Sequence, residues 1–199
     1  MRVSKEQAAR NRQSIIDTAS RLFRERGVDG VGVADLMKEA GFTHGGFYNH
    51  FPSKEALVVE ACGSAFEEAL AGLMKSLDSG KGRSGAAFSR YVEQYLTPRH
   101  RDDASSGCPM AGLAVDAGRQ GEEVQSAYAA GLEKVLEVFA GQLSRSAPDA
   151  KGEDSATRER AMRLLSEMVG ALVLARAVAE ANPTLSEEIL QASRKSFSK

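Results

Sequence analysis

The chain has 199 residues, 42% hydrophobic and 27% charged, with 26 Lys and Arg against 27 Asp and Glu for a formal net charge of −1. That is enough apolar material for one large or two small domains, while the lack of any apolar run near the ~20 residues of a bilayer crossing, and the polar first residues, exclude a membrane span and a secretory signal and place the chain in the cytoplasm. Cys62 and Cys108 are too few and too far apart for a disulfide framework, and neither Cys-x-x-Cys nor His-Glu-x-x-His spacing occurs, so no metal or other cofactor is expected.

The first helix is predicted from about Ser4 to Arg26, where Ile15, Ala19, Leu22 and Phe23 recur at i, i+4, i+7 and i+8 and face inward. It is basic: Arg2, Lys5, Arg10, Arg12, Arg21, Arg24 and Arg26 stand against Glu6, Asp17 and Glu25. Gly27 ends it, and a loop from Val28 to Gly32 follows. Val33, Leu36, Met37 and Ala40 at i, i+3, i+4 and i+7 predict a second helix of about two turns, closed by Gly41, which tolerates the left-handed conformation of a sharp exit. Thr43 is the expected N-cap of a third helix whose inner face is Phe47 and Phe51, and Pro52 ends that helix. Ser53 then caps a long helix to about Leu77, with Glu55 in its first turn at the positive end of the helix dipole. Helix, glycine-containing turn and short helix is the arrangement that sets a second helix into a major groove of DNA.

The compositions of Asp78–Gly85, DSGKGRSG, and Ala147–Ser155, APDAKGEDS, read as loops or disorder. Between and after them the spacing predicts helices over about 86–97, 109–118, 122–144, 156–181 and 185–197, the third carrying Val124, Ala127, Tyr128, Leu132, Val135, Leu136, Phe139 and Leu143 at helical intervals. No strand pattern and no internal repeat emerge. The expected class is all-α with about nine helices: a three-helix helix-turn-helix module over residues 1–52 and a helical ligand-binding and dimerisation domain over 53–199, with helix 53–77 shared between them.

The stretch GFTHGGFYNHFPSKEAL, from Gly41 to Leu57, resembles the TetR family of one-component bacterial transcriptional regulators. Phe47, Tyr48, His50, Phe51, Lys54, Glu55, Ala56 and Leu57 match the family motif, and Ala19, Phe23, Gly27 and Gly41 match its pattern upstream, over about residues 10 to 65. The resemblance implies that Tyr48 and Lys54 clamp the DNA backbone with a hydroxyl and a point charge, that Thr43 and His50 add phosphate contacts, and that His44, Gly45 and Gly46, with Lys38 or Asp35, face the bases. Here the chain departs from the commoner pattern, which has a basic residue at His44 and Thr or Ala at Gly46; two adjacent glycines approach bases closely but read little, so specificity is expected to lean on DNA shape. Arg2, Lys5, Arg10 and Arg12 are expected to contribute backbone or minor-groove contacts from a mobile arm.

A reader this small gains affinity by pairing, with two recognition helices in successive major grooves of a palindromic double-stranded operator. The apolar helix 156–181 supplies a stripe through Met162, Leu165, Met168, Val169, Leu172 and Ala175, of which Met162, Leu165, Val169 and Leu172 are the expected homodimer contacts; the family's dimers, a four-helix bundle from the last two helices, agree with this. The resemblance further implies a pocket for a small-molecule effector, and Phe66, Leu70, Phe88, Tyr91, Tyr95, Met110, Leu113, Tyr128 and Met168 are the expected lining. Cys108 opens a helix with Pro109 at its first position, close in sequence to Arg99, His100 and Arg101, a setting that raises thiolate content and suits a sensor of electrophiles or oxidants. Packing is the competing role for this thiol and for Cys62. The family implies a repressor released from DNA by its effector. Two other readings stand beside it: a helical protein-interaction module without DNA binding, and an enzyme with Cys108 as nucleophile and His100 as base.

Overall fold

The computed structural model describes residues 4–78, 84–146 and 154–197, and every regular element among them is helical. In chain order these are α1 (Lys5–Arg26), α2 (Val33–Glu39), a 3-10 helix (His44–Asn49), α3 (Lys54–Asp78), α4 (Ser84–Tyr95), α5 (Pro98–Asp102), α6 (Pro109–Ala117), α7 (Glu122–Ser146), α8 (Asp154–Val178) and α9 (Pro183–Phe197). The all-α class with an N-terminal helix-turn-helix is as expected. Most of the two expected loops, at 79–83 and 147–153, and Arg2 lie outside the described residues.

The chain divides into two compact units, one of residues up to Glu68 with Cys108–Gly131, the other of Ala69–Gly107 with the residues from Leu132 onward. Of the three divisions, two fall inside long helices, α3 and α7, and the third between α5 and α6. Thus α6 and the first turns of α7 group with the N-terminal module, whereas the sequence reading set its division at Pro52.

In the first unit, Ser4 caps α1 by accepting from the Gln7 amide at 3.1 Å, and Gly27, at φ 74°, ends it. Ile15, Ala19, Leu22 and Phe23 are buried together with Leu36 and Met37 of α2. Gly41, at φ 83°, turns the chain, and the Phe42 amide donates to the Met37 carbonyl at 2.8 Å, which closes the C-terminus of α2. The next element differs from the expected α-helix. Thr43 is extended, its hydroxyl makes no cap bond, and His44–Asn49 winds as a 3-10 helix with the Gly46 amide on the Thr43 carbonyl and the His50 amide on the Phe47 carbonyl. The physical cause is Gly45–Gly46: two glycines weaken an α-helix by about 1 kcal/mol each relative to alanine, and so short a segment settles in the tighter winding. The Ser53 hydroxyl does cap α3, accepting from the Ala56 amide at 3.0 Å.

α6 packs on α1 where Gly112 lets the Arg24 stem approach; a Cβ at Gly112 would lie 3.3 Å from three Arg24 carbons. Gly131 of α7 makes room in the same way for Phe66 of α3, whose ring also meets Tyr128 edge-on at 5.3 Å.

In the second unit α8 and α9 pack along their length, burying Leu165, Met168, Leu172, Ala175 and Leu190. Phe139 of α7 receives Phe88 and Tyr91 of α4 edge-on at 5.0 and 6.1 Å. α5 is the one helix the periodicity did not reveal. Thr97 caps it by accepting from the His100 amide, Pro98 takes its first position, and the Arg176 guanidinium closes its far end by donating to the His100 and Arg101 carbonyls, each at 2.9 Å. No described helix is long and apolar enough to cross a membrane.

Candidate nucleic-acid interface

The surface expected to meet DNA is assembled from the turn after α2, the 3-10 helix and the first turn of α3. Phe47 and Phe51, buried with ring centroids 5.6 Å apart, anchor the segment from inside. Between them Tyr48 is turned outward, 68% exposed, its ring edge-on to Phe47 at 5.2 Å. A phenol standing out of an otherwise buried aromatic run presents a hydroxyl donor on a rigid base, the form a backbone contact requires. Thr43, His44 and Gly45 are exposed, and Gly46 and His50 are half-buried. No atom lies within 4 Å of where a Gly45 Cβ would stand, so the surface beside Tyr48 is open and the backbone itself is the approach. Lys38 and Asp35 of α2 are also exposed.

Lys54 is half-buried and donates through Nζ to the Val28 carbonyl at 2.6 Å. This contact between α3 and the loop after α1 was not visible in the sequence; two of its three ammonium protons are left for another acceptor. Lys5, Arg10 and Arg12 do not form a mobile arm, because α1 begins at Lys5. Arg10 pairs with Glu6, and Arg12 is bound on two sides, through both terminal nitrogens to the Glu60 carboxylate and through Nε to the His50 carbonyl at 3.4 Å.

The residues expected to line an effector pocket belong to both units. In the first unit Phe66, Met110 and Leu113 are buried, Phe66 meets Tyr128 edge-on, and the Tyr128 hydroxyl donates to the Met110 carbonyl at 3.1 Å. Burial, with the Cys108 and Cys62 thiols nearby, pushes the Tyr128 phenol well above its ordinary value, so it stays a neutral donor. Leu113 also lines a cleft of this unit with Ser20, Phe23, Val58, Cys62 and Asp116. In the second unit Phe88 and Met168 are buried, and Tyr91 is half-buried against Phe139.

Cys108 is the N-cap of α6 with Pro109 at the first position, as the sequence implied, and it is buried. Cys62 is buried within α3, and burial pushes its thiol up to about 11. His100 sets Nδ1 2.8 Å from the Tyr95 carbonyl and its ring edge-on to Tyr95 at 4.5 Å; burial lowers its pKa below the ordinary imidazole value.

Of the expected dimer contacts, Met162 is exposed and Val169 half-buried, whereas Leu165 and Leu172 are taken up by the chain's own packing. One apolar stripe in the sequence is two faces in the structure. The inner one runs through Ala161, Leu165, Met168, Leu172 and Ala175; the outer one carries Met162, Val169 and Val173, with Leu174 also exposed and Leu185 on α9.

The chain matches the N-terminal domain model of the bacterial regulatory proteins of the tetR family over residues 15–61, and a C-terminal domain model of LmrA/YxaF-like transcriptional regulators over 84–187. It is 28% identical over 175 residues to the HTH-type transcriptional regulator Rv0196 of Mycobacterium tuberculosis, covering 86% of this chain and 87% of that one. To the HTH-type transcriptional repressor NemR of Escherichia coli it is 28% identical over 132 residues, 66% of each chain. The crystal structure of the reduced form of Escherichia coli NemR shares the fold with a TM-score of 0.77 at 24% identity, over 94% of this chain and 95% of that one.

Proposed function

Because the chain belongs to the TetR family of bacterial regulatory proteins and is a transcriptional regulator rather than an enzyme, we propose that it represses transcription as a homodimer on a palindromic operator and leaves that operator when an effector binds. Tyr48 carries this reading: its hydroxyl stands outward on a base of two buried phenylalanines, beside an unobstructed glycine backbone. Thr43, His50 and Lys54 add backbone contacts around it, and His44, Gly45 and Gly46 face the bases. The His44 ring can hydrogen-bond at a base edge, which makes it the one side chain of the three able to choose sequence. Such a protein works in the cytoplasm.

Pairing follows from the same need. Members of the family bind DNA as dimers and respond to small molecules, and the outer face of α8, with Leu185 of α9, is the apolar surface that suits a second copy. The effector is proposed to act through the aromatic residues around Phe66 and Tyr128, or through Phe88, Tyr91 and Met168.

A covalent effector is the sharper form of the proposal. The Cys108 thiol, at the N-cap of α6, would add through Sγ to an electrophile and give its proton to solvent, and the added group at this buried position would displace the start of α6. Cys62 does not compete, its thiol being held protonated by burial.

The test is fluorescence anisotropy of the full chain on random duplex and on duplexes it selects from a random pool, over a range of salt. Salt-dependent binding with a preferred sequence supports the reading, and no binding at any salt ends it. His44→Ala is expected to change the preferred sequence more than the affinity for random duplex. An electrophile is expected to release the wild-type chain but not Cys108→Ser; release of both leaves Cys108 a packing residue.

A further inference from the structure

The 3-10 helix that presents Tyr48 is a weak element, six residues with two glycines and few bonds of its own. Phe47 anchors its inner side, and the direction of its C-terminal end is set from elsewhere. At its C-terminal end, ahead of Pro52, the His50 carbonyl is met by a side chain of α1. Arg12, two turns into α1, sends Nε to that carbonyl at 3.4 Å and lays its guanidinium over the Phe51 ring, 4.6 Å from the centroid. Its two terminal nitrogens take both oxygens of Glu60, on the second turn of α3. One planar fork therefore touches three elements: α1 through its own stem, the end of the DNA-facing helix, and α3.

We propose that Arg12, with Glu60 as its counter-ion, is a positioning residue for operator choice: it sets the direction of His44–Asn49 without touching DNA. The fork geometry is what arginine supplies and lysine does not, since only a guanidinium meets both carboxylate oxygens while a third N–H reaches elsewhere. With its charge balanced by Glu60, Arg12 makes a poor phosphate ligand. Both side chains are about one-third exposed, at 37% and 35%, and pairs so placed contribute little to folding, so loss of the pair leaves a folded chain with a loosened reading segment.

The inference rests on the DNA-binding reading above. Arg12→Met, Arg12→Lys and Glu60→Gln are compared with the wild-type full chain on the duplex the wild type selects and on random duplex, each over a range of salt, with circular dichroism to follow helix content and melting. Arg12→Met and Glu60→Gln are expected to lower the ratio of selected to random affinity by about fivefold or more, the low end of what one lost base contact costs, with the salt slope of Arg12→Met unchanged. Glu60→Gln is the decisive arm. Removing a negative charge beside a polyanion strengthens binding to every duplex by charge alone, so a fall on the selected duplex reads orientation. Arg12→Lys is expected not to restore the ratio. The proposal is overturned if Arg12→Met weakens both duplexes equally and lowers the slope by about 1, the mark of a phosphate contact, if Arg12→Lys binds as the wild type does, or if Glu60→Gln keeps its ratio. A wild-type chain that selects no duplex overturns the DNA-binding reading as well, which separates that failure from these.

Discussion

The Lys54 ammonium lies 2.6 Å from the carbonyl oxygen of Val28, so the residue that the family motif assigns to DNA also ties the first turn of α3 to the loop after α1. The two roles separate by measurement. Lys54→Met is expected to lower stability by about 1.5 kcal/mol, the low end for a hydrogen bond to a charged group, and to lower the salt slope of operator binding by about 1. A loss of stability with the slope intact assigns Lys54 to the fold alone.

Gly131 and Phe66 are matched in size. A Cβ at Gly131 would stand 2.2 Å from Phe66 Cγ, the root of the ring and not a movable tip. Gly131→Ala is therefore expected to destabilise the chain by about 1–3 kcal/mol in urea unfolding despite its gain in helix propensity. Phe66→Leu is expected to recover part of that loss in the double variant. Additive losses would mean that the ring and the glycine do not share the space.

His100 gives the fold a pH dependence of definite sign. Burial holds its folded pKa below the ordinary value of about 6.5, the nearby Arg176 charge acting in the same direction and the Tyr95 carbonyl and Asp103 opposing. The unfolded chain takes up a proton first as the pH falls. Stability contributed by the neutral ring is thus fully present above about pH 6.5 and is lost as the pH falls from there through the folded value. The stability difference between the wild type and His100→Gln in urea is expected to shrink between about pH 7.5 and pH 5; a difference that widens on acidification would mean the ring is favoured in its charged form.

Legibility in the sequence followed the strength of local signals. The long helices were readable because apolar periodicity and caps agreed: Ser4 and Ser53 cap α1 and α3, and Gly27 and Gly41 take the left-handed turns. α5 was missed although Thr97-Pro98 is a cap followed by a first-position proline, since five residues are too few to show a period. The 3-10 winding of His44–Asn49 was written in its two glycines but lost to the expectation of an α-helix. Contacts between distant segments left no local trace: Arg12 with Glu60 and His50, and Lys54 with Val28, depend on how α1 and α3 pack. Leu165 and Leu172 show the same limit, since an apolar stripe on α8 does not say which of its two edges its own neighbours will cover.

The outer face of α8 supplies the test of pairing. Met162 and Val173, 41% and 39% exposed, are eleven residues apart, three turns of one helix line, with half-buried Val169 between them. Val173→Glu puts a charge at one end of this line and is expected to yield monomers in sedimentation at unchanged helix content, with weaker operator binding because two heads no longer act together. Leu172, the residue before it, is fully buried in the chain, so Leu172→Ala is expected to cost about 2–5 kcal/mol of stability through the cavity it leaves. The neighbouring substitutions thus separate assembly from folding: the first changes mass and the second changes melting. A Val173→Glu chain that still sediments at twice its mass moves the interface off this face of α8.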